Sequence, residues 1–429
     1  MPILPGTSVL NVSSTVAVER DCSLNFDVES VRAQFPALQQ EVNGRSLIYL
    51  DSAATTQKPN AVIDAITHYY QYDNANVHRA AHALSSRATA AFEESRQRVA
   101  DFLGSPDAAQ VIWVRGVTEA VNLLAYSWGR SNLNAGDRVL VSTLEHHSDI
   151  VPWQLVCAER GAEVVAIPVS DEGVIDQAAY DGLLDERVKM VAVNHVSNAL
   201  GTVNPVKEMA AKAKTAGALC MIDGAQAVAH WPLDVVDLGC DFYAFSGHKL
   251  FGPTGIGALW GRRDLLEAMP PFFGGGEMID RVSFDGTTFN TIPFKFEAGT
   301  PHIAGVIGLG AAVKWVQGLD RDAAAAHEAR LLARCDELAP EIPGLRRLGP
   351  DIDRVGVFSF LLEGTHPEDL GTLLDQQGIA IRTGHHCAQP LMSRLEVPGS
   401  ARASFSLYNT LADVEALFAG LRKVQELFA

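Results

Sequence analysis

The 429-residue sequence contains no C-x-x-C pair. Its six cysteines, Cys22, Cys157, Cys220, Cys240, Cys335 and Cys387, stand far apart. That usage argues against a disulfide framework or a zinc ribbon and fits free thiols in a reducing compartment. Long apolar runs are missing too. Nothing approaches the roughly 18 residues a spanning helix needs, and Lys314 interrupts the stretch 305–316. Basic residues are scarce, with 34 Lys and Arg against 51 Asp and Glu and a net charge of −17. Such a surface repels phosphate backbones and anionic lipid, which argues against nucleic acid or a membrane surface as the partner. No charged side chain precedes Glu19, and Arg20 is the first basic one. The N-terminus therefore lacks the basic start of a secretory signal and the Arg-rich pattern of a transit peptide. The expectation is a soluble, cytoplasmic protein.

What is present is globular composition, 47% hydrophobic and 20% charged, with length for two or three domains. Residues 1–23 are rich in Ser, Thr and Val without a sustained period and read as a flexible N-terminal extension. A short helix over 27–32 leads into Phe35-Pro36, within an N-terminal segment, 24–47, expected to pack with the small domain. From 48 onward, apolar runs at 111–114, 139–142, 164–167, 190–193, 219–222, 242–245 and 257–260 alternate with helical patterns at 118–127, 150–160 and 206–215. That order predicts an α/β fold, a mostly parallel seven-stranded sheet flanked by helices. Glycine and proline break the alternation between 252 and 301. Ala-rich helical stretches at 306–316 and 323–338, then a strand at 357–362, read as a smaller α+β C-terminal domain. The expected division is 48–304 for the large domain and 305–429 for the small one.

Open α/β sheets expose functional groups at the carboxyl ends of their strands, and several polar clusters fall there. Arg115-Gly116-Val117-Thr118 opens a helix and offers N–H groups and a hydroxyl to an anion; alone, Thr118 is more commonly an ordinary cap. Glu145-His146-His147 follows the next strand. His78 and His82 have the i, i+4 spacing of a helix-borne zinc pair, yet no H-E-x-x-H or cysteine pair accompanies them, so no metal is expected. Asp223, at a strand end, is either a capping residue or a fixed carboxylate facing a protonated heterocyclic nitrogen. Ser246-Gly247-His248-Lys249 ends an apolar strand inside a Gly-rich turn. A lysine there suits Schiff-base chemistry, because burial lowers its pKa. Neither G-x-x-x-x-G-K-[ST] nor G-x-G-x-x-G is present. In Arg382-Thr383-Gly384-His385-His386-Cys387, a single cysteine lies beside two histidines. It reads as a nucleophile, with an inert buried thiol and a metal triad as the alternatives.

Taken in this order, Glu145-His146-His147, Asp223-x-x-Gln226, Ser246-Gly247-His248-Lys249 and Arg382-Thr383-Gly384-His385-His386-Cys387 resemble the pyridoxal-phosphate-dependent cysteine desulfurases. The likeness is to the group II, SufS-like branch of the class V aminotransferase family, and it extends from about residue 24 to the C-terminus. The resemblance implies PLP fold type I and a homodimer. It also implies a set of roles. Lys249 would hold pyridoxal 5′-phosphate covalently, Asp223 would pair with its ring nitrogen and Gln226 would reach its phenolic oxygen. His146 would stack on the ring and help move protons. Thr118, Ser246 and His248 would bind the phosphate, with Thr300 reaching it across the dimer. Asn198 and Arg402 would hold the substrate carboxylate, and Arg79 would lie near the site.

The implied reaction turns L-cysteine into L-alanine and leaves a persulfide on Cys387. A sulfur-acceptor protein of the SufE-like kind would then take the sulfur toward iron–sulfur cluster assembly. Selenocysteine lyase or cysteine sulfinate desulfinase chemistry is the alternative on the same scaffold. One departure from the family pattern is Ala80-Ala81 after His78-Arg79, where a glycine is expected.

Overall fold

Seven strands carry the fold, and all seven coincide with the apolar runs to within two residues at either end. They are β1 (Val111–Val114), β2 (Arg138–Ser142), β3 (Glu163–Ile167), β4 (Val188–Asn194), β5 (Leu219–Asp223), β6 (Phe242–Ser246) and β7 (Gly257–Gly261). This computed structural model describes residues 26–79, 81–351 and 353–428. The expected N-terminal extension and Ala80 lie outside the described residues. The sheet order is β1-β7-β6-β5-β4-β2-β3. Only β7 runs antiparallel to its neighbours.

Alternate residues of each strand feed two different cores. Val191, Val193, Ile222, Tyr243 and Phe245 pack on one face; Val139, Val141, Met190, Met221 and Phe242 pack on the other. This two-sided burial is why the strands read as continuous apolar runs without polar alternation. Helices cover both faces, among them α1 (Ala83–Phe102), α2 (Val117–Leu123), α3 (Val151–Arg160) and α4 (Val206–Thr215).

A second sheet, entirely antiparallel, is built from β8 (Leu345–Leu348), β9 (Val357–Leu362), β10 (Arg382–Gly384) and β11 (Ser400–Ser404), in the order β8-β9-β11-β10. It has its own core around Phe358, Phe360, Leu417 and Phe418. The Ala-rich stretch is two helices, α5 (Ile303–Gln317) and α6 (Arg321–Leu338). Helix α5 lies so close to α1 that a Cβ on Gly310 would sit 2.2 Å from Ser95 Oγ. The expected division at residue 305 thus falls inside a helix that packs on the large-sheet layer. In chain order between the two sheets comes a hairpin, Ile279–Ser283 paired with Gly286–Phe289. It was not expected, since its residues are almost all exposed and follow no buried pattern.

The N-terminal segment runs back against the C-terminal part. Ile48 and Tyr49 pair in parallel with Ile379 and Ala380. Arg32 reaches Asp413 at 3.1 Å. Among the described residues, no helix is long and apolar enough to cross a membrane.

Candidate active site

The carboxyl ends of β1, β2, β4, β5 and β6 open on one side of the sheet, and the loop after β10 closes over them. Between them lies a cavity of about 180 Å³. Thr118, His146, Asn198, Asp223, Gln226, Ser246, His248, Lys249, Cys387 and Arg402 all line it. Residues drawn from across the sequence thus converge on one space. Arg79 and Thr300 do not: both are exposed and outside the cavity, and Arg79 pairs with Glu277 at 2.8 Å. His78 holds Glu93 at 2.9 Å, and His82 caps α1 by accepting the Ser85 N–H. Among the described residues, no cluster of His, Cys, Asp and Glu is placed to hold a metal ion.

Lys249 ends the turn Gly247–Lys249 directly after β6. Burial lowers its ammonium pKa, and the negative charge of Asp223 opposes that shift. An amine so placed gives up its proton more readily than a solvated one. Asp223 closes β5 and accepts the Ala225 N–H at 2.7 Å. Gln226 is fixed by donating to Ala53 O at 2.8 Å. His146 accepts the Ser148 N–H at Nδ1, 3.1 Å away, which puts the ring proton on Nε2 in the neutral form. Burial and the Lys249 charge pull its pKa down to about 4, so the ring is neutral at pH 7. His248 is likewise lowered to about 4, by burial first and then by the charges of Lys249 and Lys58.

The loop after β10 is anchored at several points. Asn198 Nδ2 donates to His386 O at 2.7 Å, the His147 N–H donates to Cys387 O at 2.8 Å, and His386 pairs with Ser400 Oγ at 2.9 Å. His386 and Cys387 are both left-handed, at φ 52° and 56°. Two consecutive residues there without glycine mark a strained turn held by its surroundings. Cys387 is half-buried, whereas Cys157, Cys220, Cys240 and Cys335 are buried, and burial raises each of their thiol pKa values. Among the described cysteines, Cys387 alone faces the cavity.

Two site residues escaped the sequence reading in their roles, Asp51 and Arg382. Buried Arg402, on β11, donates to Asp51 at 3.0 Å and to Asn198 O at 2.7 Å. Arg382 approaches the other Asp51 oxygen at 3.3 Å. Two guanidinium groups therefore share one carboxylate, leaving a net positive corner that suits an anionic substrate group.

This donor set fits pyridoxal phosphate. At one end Thr118, Ser246 and His248 surround a cradle beside Gly116, where any Cβ would come within 2.9 Å of Ser246 Oγ. Asp223 supplies a fixed carboxylate, and Lys249 supplies the amine.

The fold and this site define a class: the sequence model of the class-V aminotransferases matches residues 48–417, and the chain belongs to that family. Within it, the chain is 52% identical over 402 residues to a probable cysteine desulfurase of Vibrio cholerae, covering 94% of this chain and 99% of that one. A cysteine desulfurase of Dickeya dadantii is 51% identical over 404 residues, covering 94% and 98%. The crystal structure of the cysteine desulfurase CsdA (S-sulfonic acid) from Escherichia coli superposes with a TM-score of 0.88 at 42% identity, over 94% of this chain and all of that one.

Proposed function

We propose that this protein is a pyridoxal-phosphate-dependent cysteine desulfurase that converts L-cysteine to L-alanine and carries the sulfur away on Cys387. The observation that carries the reading is the convergence of Lys249 and an accessible Cys387 on one cavity with Asp223 behind it. Pyridoxal phosphate, when bound, supplies a carbonyl that condenses with amines and a ring that accepts the electron pair released at the substrate α-carbon.

The chain's own residues do the rest. Thr118, Ser246 and His248 would hold the phosphate, Gln226 would meet the phenolic oxygen, and Asp223 would keep the ring nitrogen protonated. Arg402 and Asn198 grip the substrate carboxylate. Lys249, whose amine burial makes readier to give up its proton, would remove the substrate α-proton as a general base. Neutral His146 would lie against the ring and relay protons through Nε2–H. Cys387 Sγ, as thiolate, attacks the substrate sulfur: an S–S bond forms, the C–S bond breaks, and its electron pair stays with the three-carbon fragment. Protonation of that fragment gives alanine, and the sulfur remains as a Cys387 persulfide. A left-handed, half-exposed Cys387 suits a thiol that must reach both substrate and acceptor.

Arg79 and Thr300, exposed in one chain, suit a homodimer in which each subunit completes its partner's site. The sulfur then passes to a SufE-like acceptor for iron–sulfur cluster assembly. The test is peptide mass spectrometry after brief exposure to L-cysteine without reductant. One added sulfur on the Cys387 peptide, absent with L-alanine, is expected. An unmodified Cys387 while alanine accumulates would move the reading to direct elimination.

A further inference from the structure

Next to Asp223 lies a second carboxyl that the proposed reaction does not use. Asp149 ends the turn His147–Asp149 that follows His146. It is fully buried, and no donor reaches either of its oxygens. An ionised carboxylate without partners in such a place is among the costliest groups a fold can hold. Three titratable groups face it from three elements: Asp223 at the end of β5, within hydrogen-bonding reach; Glu145 from the loop after β2, whose own carboxyl burial pushes up to about 8; and Lys249 from the turn after β6. Burial, and then the charges of Asp223 and Glu145, push its pKa well above the carboxylate range, with Lys249 opposing.

Two carboxyl groups in contact share a proton instead of ionising together. Asp223 already has the Ala225 N–H to stabilise its charge, whereas Asp149 has no donor at all. The shared proton therefore resides on Asp149, and a neutral carboxyl is an O–H donor. Glu145 makes no hydrogen bond to Asp223: its two oxygens accept from Ser142 Oγ and Asn194 Nδ2.

We propose that Asp149 is a positioning residue for the cofactor: held neutral, it donates its carboxyl proton to Asp223 and aims that carboxylate at the ring nitrogen. The inference rests on the cofactor reading of the cavity. The pair then presents a single negative charge to the ring.

The experiment compares wild-type holoenzyme with Asp149→Asn, which keeps an N–H donor but no titratable proton, and Asp149→Leu, which keeps neither. Infrared difference spectra at neutral pH should show a carboxylic-acid C=O band in the wild type that Asp149→Asn lacks. Asp149→Leu should lose cofactor roughly tenfold faster, the scale of one hydrogen bond to a charged group, and Asp149→Asn should restore retention. Raising the pH should shift the cofactor absorbance of the wild type as Asp149 ionises, a step missing from Asp149→Asn. The absence of any lost carboxylic-acid band, or an Asp149→Asn variant that releases cofactor as fast as Asp149→Leu, overturns the proposal. Wild-type protein that takes up no pyridoxal phosphate would instead overturn the reading of the site beneath it.

Discussion

The carbonyl oxygen of His248 accepts a hydrogen bond from Lys58 Nζ at 2.8 Å. The same oxygen accepts from the Thr56 N–H and from Thr56 Oγ1, each at 3.1 Å, and Thr56 Oγ1 in turn accepts the Phe251 N–H at 2.9 Å. The turn that presents Lys249 is therefore clamped from a distant segment of the chain. Burial lowers the Lys58 pKa to about 7, and the side chain donates in either protonation state.

Lys58→Met removes the shortest of these bonds and should loosen the turn. A fall in kcat/KM for L-cysteine of roughly tenfold is expected, the scale of one hydrogen bond. The pH dependence adds a signature. Between pH 7 and 10 the unfolded lysine is protonated while the folded one is not, so folding releases a proton and wild-type stability gains from rising pH. That gain is lost as pH falls through about 7. Thermal melting should show the gap between wild type and Lys58→Met widening from pH 7 to pH 9, by up to about 1.4 kcal/mol per pH unit. A gap independent of pH would refute the buried-lysine account.

Cys387→Ala should leave the cavity able to take up pyridoxal phosphate while removing the sulfur acceptor. Alanine release from L-cysteine is expected to fall by roughly a thousandfold or more, as for other lost nucleophiles. Full turnover by this variant would favour a selenocysteine or cysteine sulfinate lyase, whose substrates part with selenium or sulfur dioxide without a thiol nucleophile.

The legible part of this protein was what burial writes into local sequence. Strand β5 reads as an apolar run because Cys220, Met221 and Ile222 are buried whichever face they point to. The polar groups that punctuate such runs, Asp223 and Lys249 among them, mark strand ends. The hairpin Ile279–Ser283 with Gly286–Phe289 was not legible, since exposed strands in a Gly-rich region leave no burial pattern. Asp51 and Arg382 meet beside the second sheet although 331 positions apart, so neither signalled the other. Nothing in the sequence around Lys58 or Asp149 sets either apart from a surface charge. Only the packing around them turns one into a clamp and the other into a buried acid.

Arg402→Lys tests the positive corner formed with Arg382 and Asp51. Lysine keeps the charge but offers no planar fork for a carboxylate. KM for L-cysteine should rise roughly tenfold or more, with kcat changing less, in line with a lost charge-assisted bond. Cysteamine, which has no carboxylate, should lose little. Steady-state kinetics on the two substrates separates the cases, and an equal loss on both would show that Arg402 acts on the fold instead.

Arg96 and Glu297 form a buried pair on which the segment leading to Thr300 depends. Arg96 donates to both Glu297 oxygens, at 2.7 and 2.9 Å, and Glu297 also accepts the Trp113 N–H at 2.8 Å. The Arg96 side chain is 2% exposed and that of Glu297 6%, so neither charge can turn to water when its partner is removed. Arg96→Met should therefore cost about 3–5 kcal/mol, the scale for breaking a buried pair from one side. Glu297→Gln keeps one acceptor oxygen and should cost less. The double variant Arg96→Met, Glu297→Leu leaves no buried charge unpaired, since Glu93, the other partner of Arg96 at 3.0 Å, is partly exposed and keeps His78, and it should lose less than its two single counterparts combined. Chemical denaturation of the four proteins gives the coupling directly. Additive losses would mean that the pair contributes through packing against Phe92, Trp113 and Phe294 rather than through its charges.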